Sequence, residues 1–183
     1  MTDPNLRVLL ASNKIQARIR EMGEQISADY PDGNLHLICI LKGACFFLTD
    51  LARAMKRDVF VDFMGISTYG KGKTSSGEVK VTKDLDISLE GANVLIVEDI
   101  VDSGITLNYL MQLLQQRKPK SLRIATLLDK PERRQRPVEA SYVGFRIPDK
   151  FVVGYGLDFG EKYRNLDDIC ILEEAGETVA TAP

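Results

Sequence analysis

Residues 94–107 read Val-Leu-Ile-Val-Glu-Asp-Ile-Val-Asp-Ser-Gly-Ile-Thr-Leu, and this run constrains the chain more than any other. Its first half is a short unbroken apolar stretch, the pattern of a strand buried on both faces. Three carboxylates, Glu98, Asp99 and Asp102, follow at once. Ser103, Gly104 and Thr106 then offer hydroxyls and approachable backbone N–H groups where Leu107 opens an apolar helical pattern. A helix N-terminus holds a phosphate in that way. Acids and an anion cradle side by side suit a ligand that carries both hydroxyls and a phosphate, such as a ribose 5-phosphate. Exposed loop acids that only cap the next helix are the weaker reading, because three acids within five residues repel one another unless a metal or ligand hydroxyls engage them.

The remaining chain alternates strand and helix patterns. Ser12 is the expected N-cap of a helix whose Ile15, Ile19, Met22 and Ile26 recur at helical spacing and face a sheet. Leu35–Leu41 form an apolar strand that Lys42 and Gly43 interrupt, and residues 44–55 make a mostly apolar helix. Residues 58–83 look like a hairpin, with strand-like 59–66 and a returning partner at 79–82. Its tip, residues 67–78, is rich in Gly, Lys, Ser and Thr with almost nothing to bury, and is expected to be a mobile lid. Leu107, Leu110, Leu113 and Leu114 mark a further helix, residues 121–128 a buried strand, and Ile169–Leu172 a last one.

Such alternation predicts an α/β fold with a mainly parallel central sheet flanked by helices. Ligands of such folds bind beyond the carboxyl ends of the strands. Lys42, Glu98 and Lys130 all follow strand patterns, so the fold brings them to one rim. A length of 183 residues fits a single domain, 1–183.

Several function classes drop out. Lys and Arg number 24 against 26 Asp and Glu, a formal charge of -2, which argues against general affinity for nucleic acid. Cys39, Cys45 and Cys170 sit in apolar runs without C-x-x-C spacing and read as buried reduced thiols. Neither a leader pattern nor a membrane-span run is seen, so a soluble cytoplasmic protein without membrane partners is expected. His36 is the only histidine, which excludes a histidine metal cluster or a serine triad within one chain. Acid–base chemistry must therefore come from carboxylates, lysines or tyrosines. Gly72-Lys73-Thr74 hints at a P-loop, but the required upstream glycine is Ser67. Asp102-Ser103-Gly104 matches the triplet of aspartic proteases, which are all-β, whereas here it leads into a helix pattern. Arg133, Arg134 and Arg136 read as a solvated turn or a subunit contact with no catalytic role.

With those motifs in hand, residues 94–107 resemble the phosphoribosyl pyrophosphate signature of the type I phosphoribosyltransferases. Leu41-Lys42-Gly43, Thr68-Tyr69, residues 127–130 and the stretch from Val143-Gly144-Phe145 through Arg164 are similar, in order, to segments of the hypoxanthine-guanine branch. The run Ile147-Pro148-Asp149-Lys150-Phe151-Val152-Val153-Gly154-Tyr155 separates that branch from the orotate, uracil and adenine branches. The resemblance covers the chain from about Leu35 to Leu172.

It implies a Mg²⁺-dependent glycosyltransferase of purine salvage, acting on a 6-oxopurine base and phosphoribosyl pyrophosphate and releasing a nucleoside monophosphate and pyrophosphate. Glu98 and Asp99 would hold the ribose hydroxyls, directly or through Mg²⁺, while Ser103, Gly104, Ile105 and Thr106 cradle the 5-phosphate. Asp102 would be the base at purine N7, Lys130 the donor to the 6-oxygen, Phe151 the stacking ring and Val152 a backbone contact, with Lys150 in the same wall. Asp158 would meet a second Mg²⁺, and Arg164 the pyrophosphate. Lys42 and Gly43 would form the pyrophosphate loop with a cis peptide at Leu41-Lys42, and Thr68 and Tyr69 would belong to the lid. A small hood from the terminal segments and a homodimer or homotetramer are also implied. Ile105 stands where some relatives have lysine, and Thr68 where others have serine; neither change removes a required donor. The alternative is a regulator that keeps the fold, senses ligand and binds nucleic acid, which the charge of -2 disfavours.

Overall fold

The computed structural model describes residues 5–68 and 79–173. In chain order these form β1 (Leu6–Leu10), α1 (Ser12–Asp29), β2 (Leu35–Leu41), α2 (Ala44–Ala54), β3 (Phe60–Thr68), β4 (Val79–Lys83) and β5 (Asn93–Val101). Then come α3 (Ile105–Gln115), β6 (Ser121–Asp129), a 3-10 turn (Pro131–Arg133), β7 (Tyr142–Arg146), β8 (Val152–Val153) and β9 (Ile169–Leu172).

Six strands form the central sheet in the order β4-β3-β2-β5-β6-β7. All neighbours pair in parallel except β4, which runs antiparallel to β3. The α/β expectation therefore holds. From β2 the chain steps outward to β3 on one side, and β5 then pairs on the other side of β2. The strand order thus reverses between β2 and β5, and the crevice beyond their carboxyl ends is where such a sheet accepts ligand. A second, antiparallel sheet, β1-β9-β8, joins the amino-terminal strand to the end of the described chain.

Side chains alternate across each central strand and divide the core in two. Leu35, Leu37 and Cys39 of β2 and Leu95 and Val97 of β5 pack with α1 and α2, against Ile15, Ile19, Met22, Ile26, Phe47 and Leu51. Ile38, Ile40, Val94 and Ile96 point the other way, to Leu107, Leu110 and Leu114 of α3. This is why β2 and β5 read as continuous apolar runs: helices cover both faces.

Four expectations are refined. Ser12 is not the N-cap of α1; Ala11 is, and the Ser12 backbone N–H donates to Asp168 Oδ1 at 2.7 Å. A carboxylate from across the fold satisfies the helix end in place of a local side chain. Strand β5 does not stop before Glu98 but continues to Val101, because β6 pairs with it up to Val101 opposite Asp129. The hairpin of residues 58–83 forms, and β3 extends to Thr68, which pairs with Val79. The lid expected at 67–78 therefore begins as strand at Ser67 and Thr68, and the rest of it, with Tyr69, lies outside the described residues. Among those residues, no helix is long and apolar enough to cross a membrane. The cysteines are free, Cys39 and Cys170 buried and Cys45 half-buried, and burial pushes the Cys39 thiol well up.

Candidate active site

Because β5 continues past Val97, Glu98 and Asp99 inherit its alternation. Glu98 follows Ile96 towards α3 and lines a cavity of about 100 Å³ with Asp102, Ser103, Gly104 and Thr106. Asp99 follows Val97 towards the start of α2 and lines a larger cavity of about 380 Å³ with Asp102, Lys130, Phe151, Val152 and Asp158. Asp102 borders both. Burial raises Glu98 well above the usual carboxylate range, and the neighbouring Asp99 adds to it. Asp99 is pushed up to about 6 by burial, against the pull of its hydrogen bond from the Ile100 N–H and of Arg164. Two buried carboxylates with raised pKa values are held charged most readily by a cation or by donors from a ligand.

The smaller cavity is the mouth of α3. Gly104 is its N-cap with φ 78°, a left-handed conformation that favours glycine, and a Cβ there would lie 2.8 Å from the Arg136 carbonyl. The Ser103 carbonyl accepts from the N–H groups of Gln135 and Arg136 at 2.9 and 3.1 Å, so the segment after β6 holds the loop from outside. Ile105 and Thr106 then open the helix, with their N–H groups directed to the same end.

Lys130 leaves the end of β6 and is only 5% exposed. Its N–H donates to the Val101 carbonyl at 2.9 Å, which ties the ends of β5 and β6 together. Its Nζ donates to the Lys150 carbonyl at 2.5 Å and lies 3.9 Å from Asp149. Desolvation lowers the Lys130 pKa, with Asp102 and Asp149 opposing. Lys150 thus joins the wall through its carbonyl, while the residue as a whole is exposed. Phe151 is 52% exposed and meets Phe159 edge-on, ring centroids 5.7 Å apart. Val152 is buried in β8 opposite Ile171, so its backbone is fixed beside the cavity.

Lys42 and Gly43 form the turn between β2 and α2, and the Leu41–Lys42 peptide is cis. A Cβ on Gly43 would collide with Asp99 Oδ2, so only glycine allows this approach. Arg164 pairs with Asp158 at 2.8 Å and donates to the Gly156 carbonyl at 2.7 Å. Glu161, a residue the motifs did not single out, bridges the cations: both its oxygens lie 3.2 Å from Lys42 Nζ, and one lies 3.3 Å from Arg164. Among the described residues, no three metal-binding side chains gather into one cage.

Arg133, Arg134 and Arg136 read as a solvated turn or a subunit contact, and Arg133 and Arg136 are indeed exposed, but Arg133 also reaches the site. Its Nε lies 3.0 Å from Asp102 Oδ1 and its side chain lines the larger cavity. Arg134 donates to the Asp102 carbonyl at 2.7 Å and pairs with Asp129. Only the 3-10 turn after Lys130, which folds the chain back over the cavity, reveals this; a run of arginines carries no such signal.

The phosphoribosyl transferase domain family matches residues 7–160. A hypoxanthine-guanine phosphoribosyltransferase of Bacillus subtilis is 48% identical over 92% of this chain and 94% of its own length. The bifunctional protein TilS/HprT of Listeria innocua is 51% identical over 91% of this chain, which spans 26% of that longer protein. The crystal structure of a hypoxanthine phosphoribosyltransferase from Staphylococcus aureus superposes with a TM-score of 0.89 at 48% identity, covering 92% of each chain. With the switch-point crevice and its carboxylates, these likenesses establish that the chain belongs to the phosphoribosyl transferase domain family, in its hypoxanthine-guanine branch.

Proposed function

We propose that the protein transfers the 5-phosphoribosyl group of phosphoribosyl pyrophosphate to N9 of hypoxanthine or guanine, giving IMP or GMP and pyrophosphate. The observation that carries this is the single cavity of about 380 Å³ joining Asp102, Lys130, Phe151 and Val152 to Asp99 and Asp158. One end suits a flat base with a 6-oxygen, the other a ribose and its leaving group.

In this reading Phe151 stacks on the purine, the Val152 backbone meets its edge, and Lys130, steadied by the Lys150 carbonyl, donates to the 6-oxygen. Asp102 accepts the N7 proton as N9 attacks C1 of the ribose, and returns it in the reverse direction. Ser103, Gly104, Ile105 and Thr106 hold the 5-phosphate at the end of α3. Lys42, Gly43 and Arg164 bind the departing pyrophosphate once its oxygens replace Glu161. Loss of pyrophosphate leaves an oxocarbenium-like ribose, so alignment and exclusion of water matter more than any covalent nucleophile.

The donor set fits Mg²⁺. This ion keeps several waters and binds through one or two carboxylates plus substrate phosphates, so scattered carboxylates suit it better than a closed cage. Glu98 and Asp99, both raised by burial, would hold one such ion, directly or through its waters, and Asp158 would meet a second. When bound, Mg²⁺ neutralises the charge that develops on pyrophosphate. Exposed Phe46, Phe60 and Val61 support assembly as a homodimer or homotetramer, and buried free thiols support a reducing cytoplasm.

Incubation with Mg²⁺, phosphoribosyl pyrophosphate and each purine in turn tests the assignment. Hypoxanthine and guanine should turn over and adenine poorly, because its 6-amino group would face the Lys130 donor. Adenine outpacing hypoxanthine would overturn it.

A further inference from the structure

Arg133 belongs to no motif of the family resemblance, yet it spans the base end of the larger cavity. Its Nε lies 3.0 Å from Asp102 Oδ1, on the loop after β5, and its Nη1 lies 3.5 Å from Asp149 Oδ1, on the loop after β7. One guanidinium therefore bridges carboxylates from two walls. Asp102 Oδ1 is buried and accepts no hydrogen bond, so its contact with Arg133 is one of charge without hydrogen-bond alignment. A buried acceptor without a hydrogen bond has a capacity that a better-placed donor can fill. Arg133, Asp102 and Asp149 are each about half-exposed, and ion pairs of that exposure are weak enough to exchange.

We propose that Arg133 is a positioning residue that holds the place of the purine N7–H: its guanidinium keeps the Asp102 carboxylate at the wall of the base cavity and yields that contact to the incoming base. The inference rests on the reading of Asp102 as the group that receives the N7 proton. The exchange replaces a cation that only neighbours this oxygen by a donor that hydrogen-bonds to it. The cation moves out towards solvent, where half of its side chain already lies, and the base gains a hydrogen bond that the guanidinium does not make. Lys130 has a different part, since its Nζ is directed to the Lys150 carbonyl. Arg134 supports the same loop through the Asp102 carbonyl and leaves the carboxylate to Arg133.

The test is steady-state kinetics of Arg133→Gln with hypoxanthine and phosphoribosyl pyrophosphate at saturating Mg²⁺. With no cation to displace, the KM for hypoxanthine should fall by roughly two- to fivefold, the effect falling on that KM more than on kcat or the phosphoribosyl pyrophosphate KM. Arg133→Lys should lie between the two, because a lysine keeps the charge but cannot bridge both carboxylates with one planar group. Raising salt should lower the hypoxanthine KM of the unmutated protein and leave that of Arg133→Gln flat, as screening weakens an exposed pair. In an Asp102→Asn background, Arg133→Gln should no longer alter the hypoxanthine KM, which identifies Asp102 as the residue through which it acts. An unchanged or raised hypoxanthine KM in Arg133→Gln, or an equal fall in the Asp102→Asn background, overturns the proposal. Absence of 6-oxopurine turnover in the unmutated protein would instead overturn the proposed function.

Discussion

Glu98 and Asp99 are consecutive in the chain and open into different cavities, Glu98 beside the phosphate loop at α3 and Asp99 beside Gly43 at α2. Consecutive residues of a strand face opposite sides of the sheet, and β5 lies at the centre, so the two carboxylates flank one strand end from both sides. Neither could do this from a loop without losing its fixed direction. The arrangement also leaves two acids buried with both carboxyls raised, which sets the first expectation.

Asp99 is pushed from the ordinary 3.8 to about 6 by folding. Between those values the folded protein keeps a proton that the unfolded chain has lost, so stability falls as pH rises from about 4 to about 6. Glu98 acts in the same direction. Above that window the buried charge is fully expressed, and Mg²⁺ with pyrophosphate should raise Tm more at about pH 8 than at about pH 5. Calorimetry at both pH values checks this; an equal rise at each would count against burial as the cause.

Gly43→Ala should raise the KM for phosphoribosyl pyrophosphate, roughly tenfold if about 1.4 kcal/mol of binding is lost. The added methyl collides with Asp99 Oδ2, and either the turn or the carboxylate must shift. The hypoxanthine KM should change far less, and the reverse pattern would show that this turn serves the base.

Asp102→Asn should fold and bind nucleotide but lose turnover by roughly 10²- to 10⁴-fold, the usual contribution of a general base. It lines both cavities, where the proposed base and ribose would meet. Full activity in that variant would remove Asp102 from the role.

Phe151→Ala should weaken base binding through lost stacking, with little loss of stability because the ring is 52% exposed. Separate titrations of base and phosphoribosyl pyrophosphate distinguish the ligands. If only the second weakens, Phe151 faces the wrong substrate.

Lys130 is lowered from its ordinary 10.5 by desolvation. Its ammonium must be charged to donate strongly to a 6-oxygen, so kcat/KM for hypoxanthine should fall on an alkaline limb beginning below pH 10.5. Lys130→Gln should reduce kcat/KM and abolish that limb. A limb that persists unaltered belongs to another group.

Much of this was legible in the residues. The apolar runs of β2, β5 and β6 announce strands covered on both faces, and Leu107, Leu110 and Leu114 announce α3. β1 and β7 escaped notice because they are partly exposed and carry Arg7 and Gly144, which blur the period. Arg133 and Glu161 escaped because their meaning lies in partners 31 and 119 residues away, Asp102 and Lys42.

The sequence alone determined the alternation of elements, the site at the strand ends and the acids that crowd it, since period, turn residues and charge are local properties. Only the tertiary structure decided which cavity each acid enters, that Lys150 contributes its carbonyl, and that Arg133 covers Asp102. Those outcomes depend on strand register and on the return path of the chain after β6, which long-range packing fixes and no local pattern records.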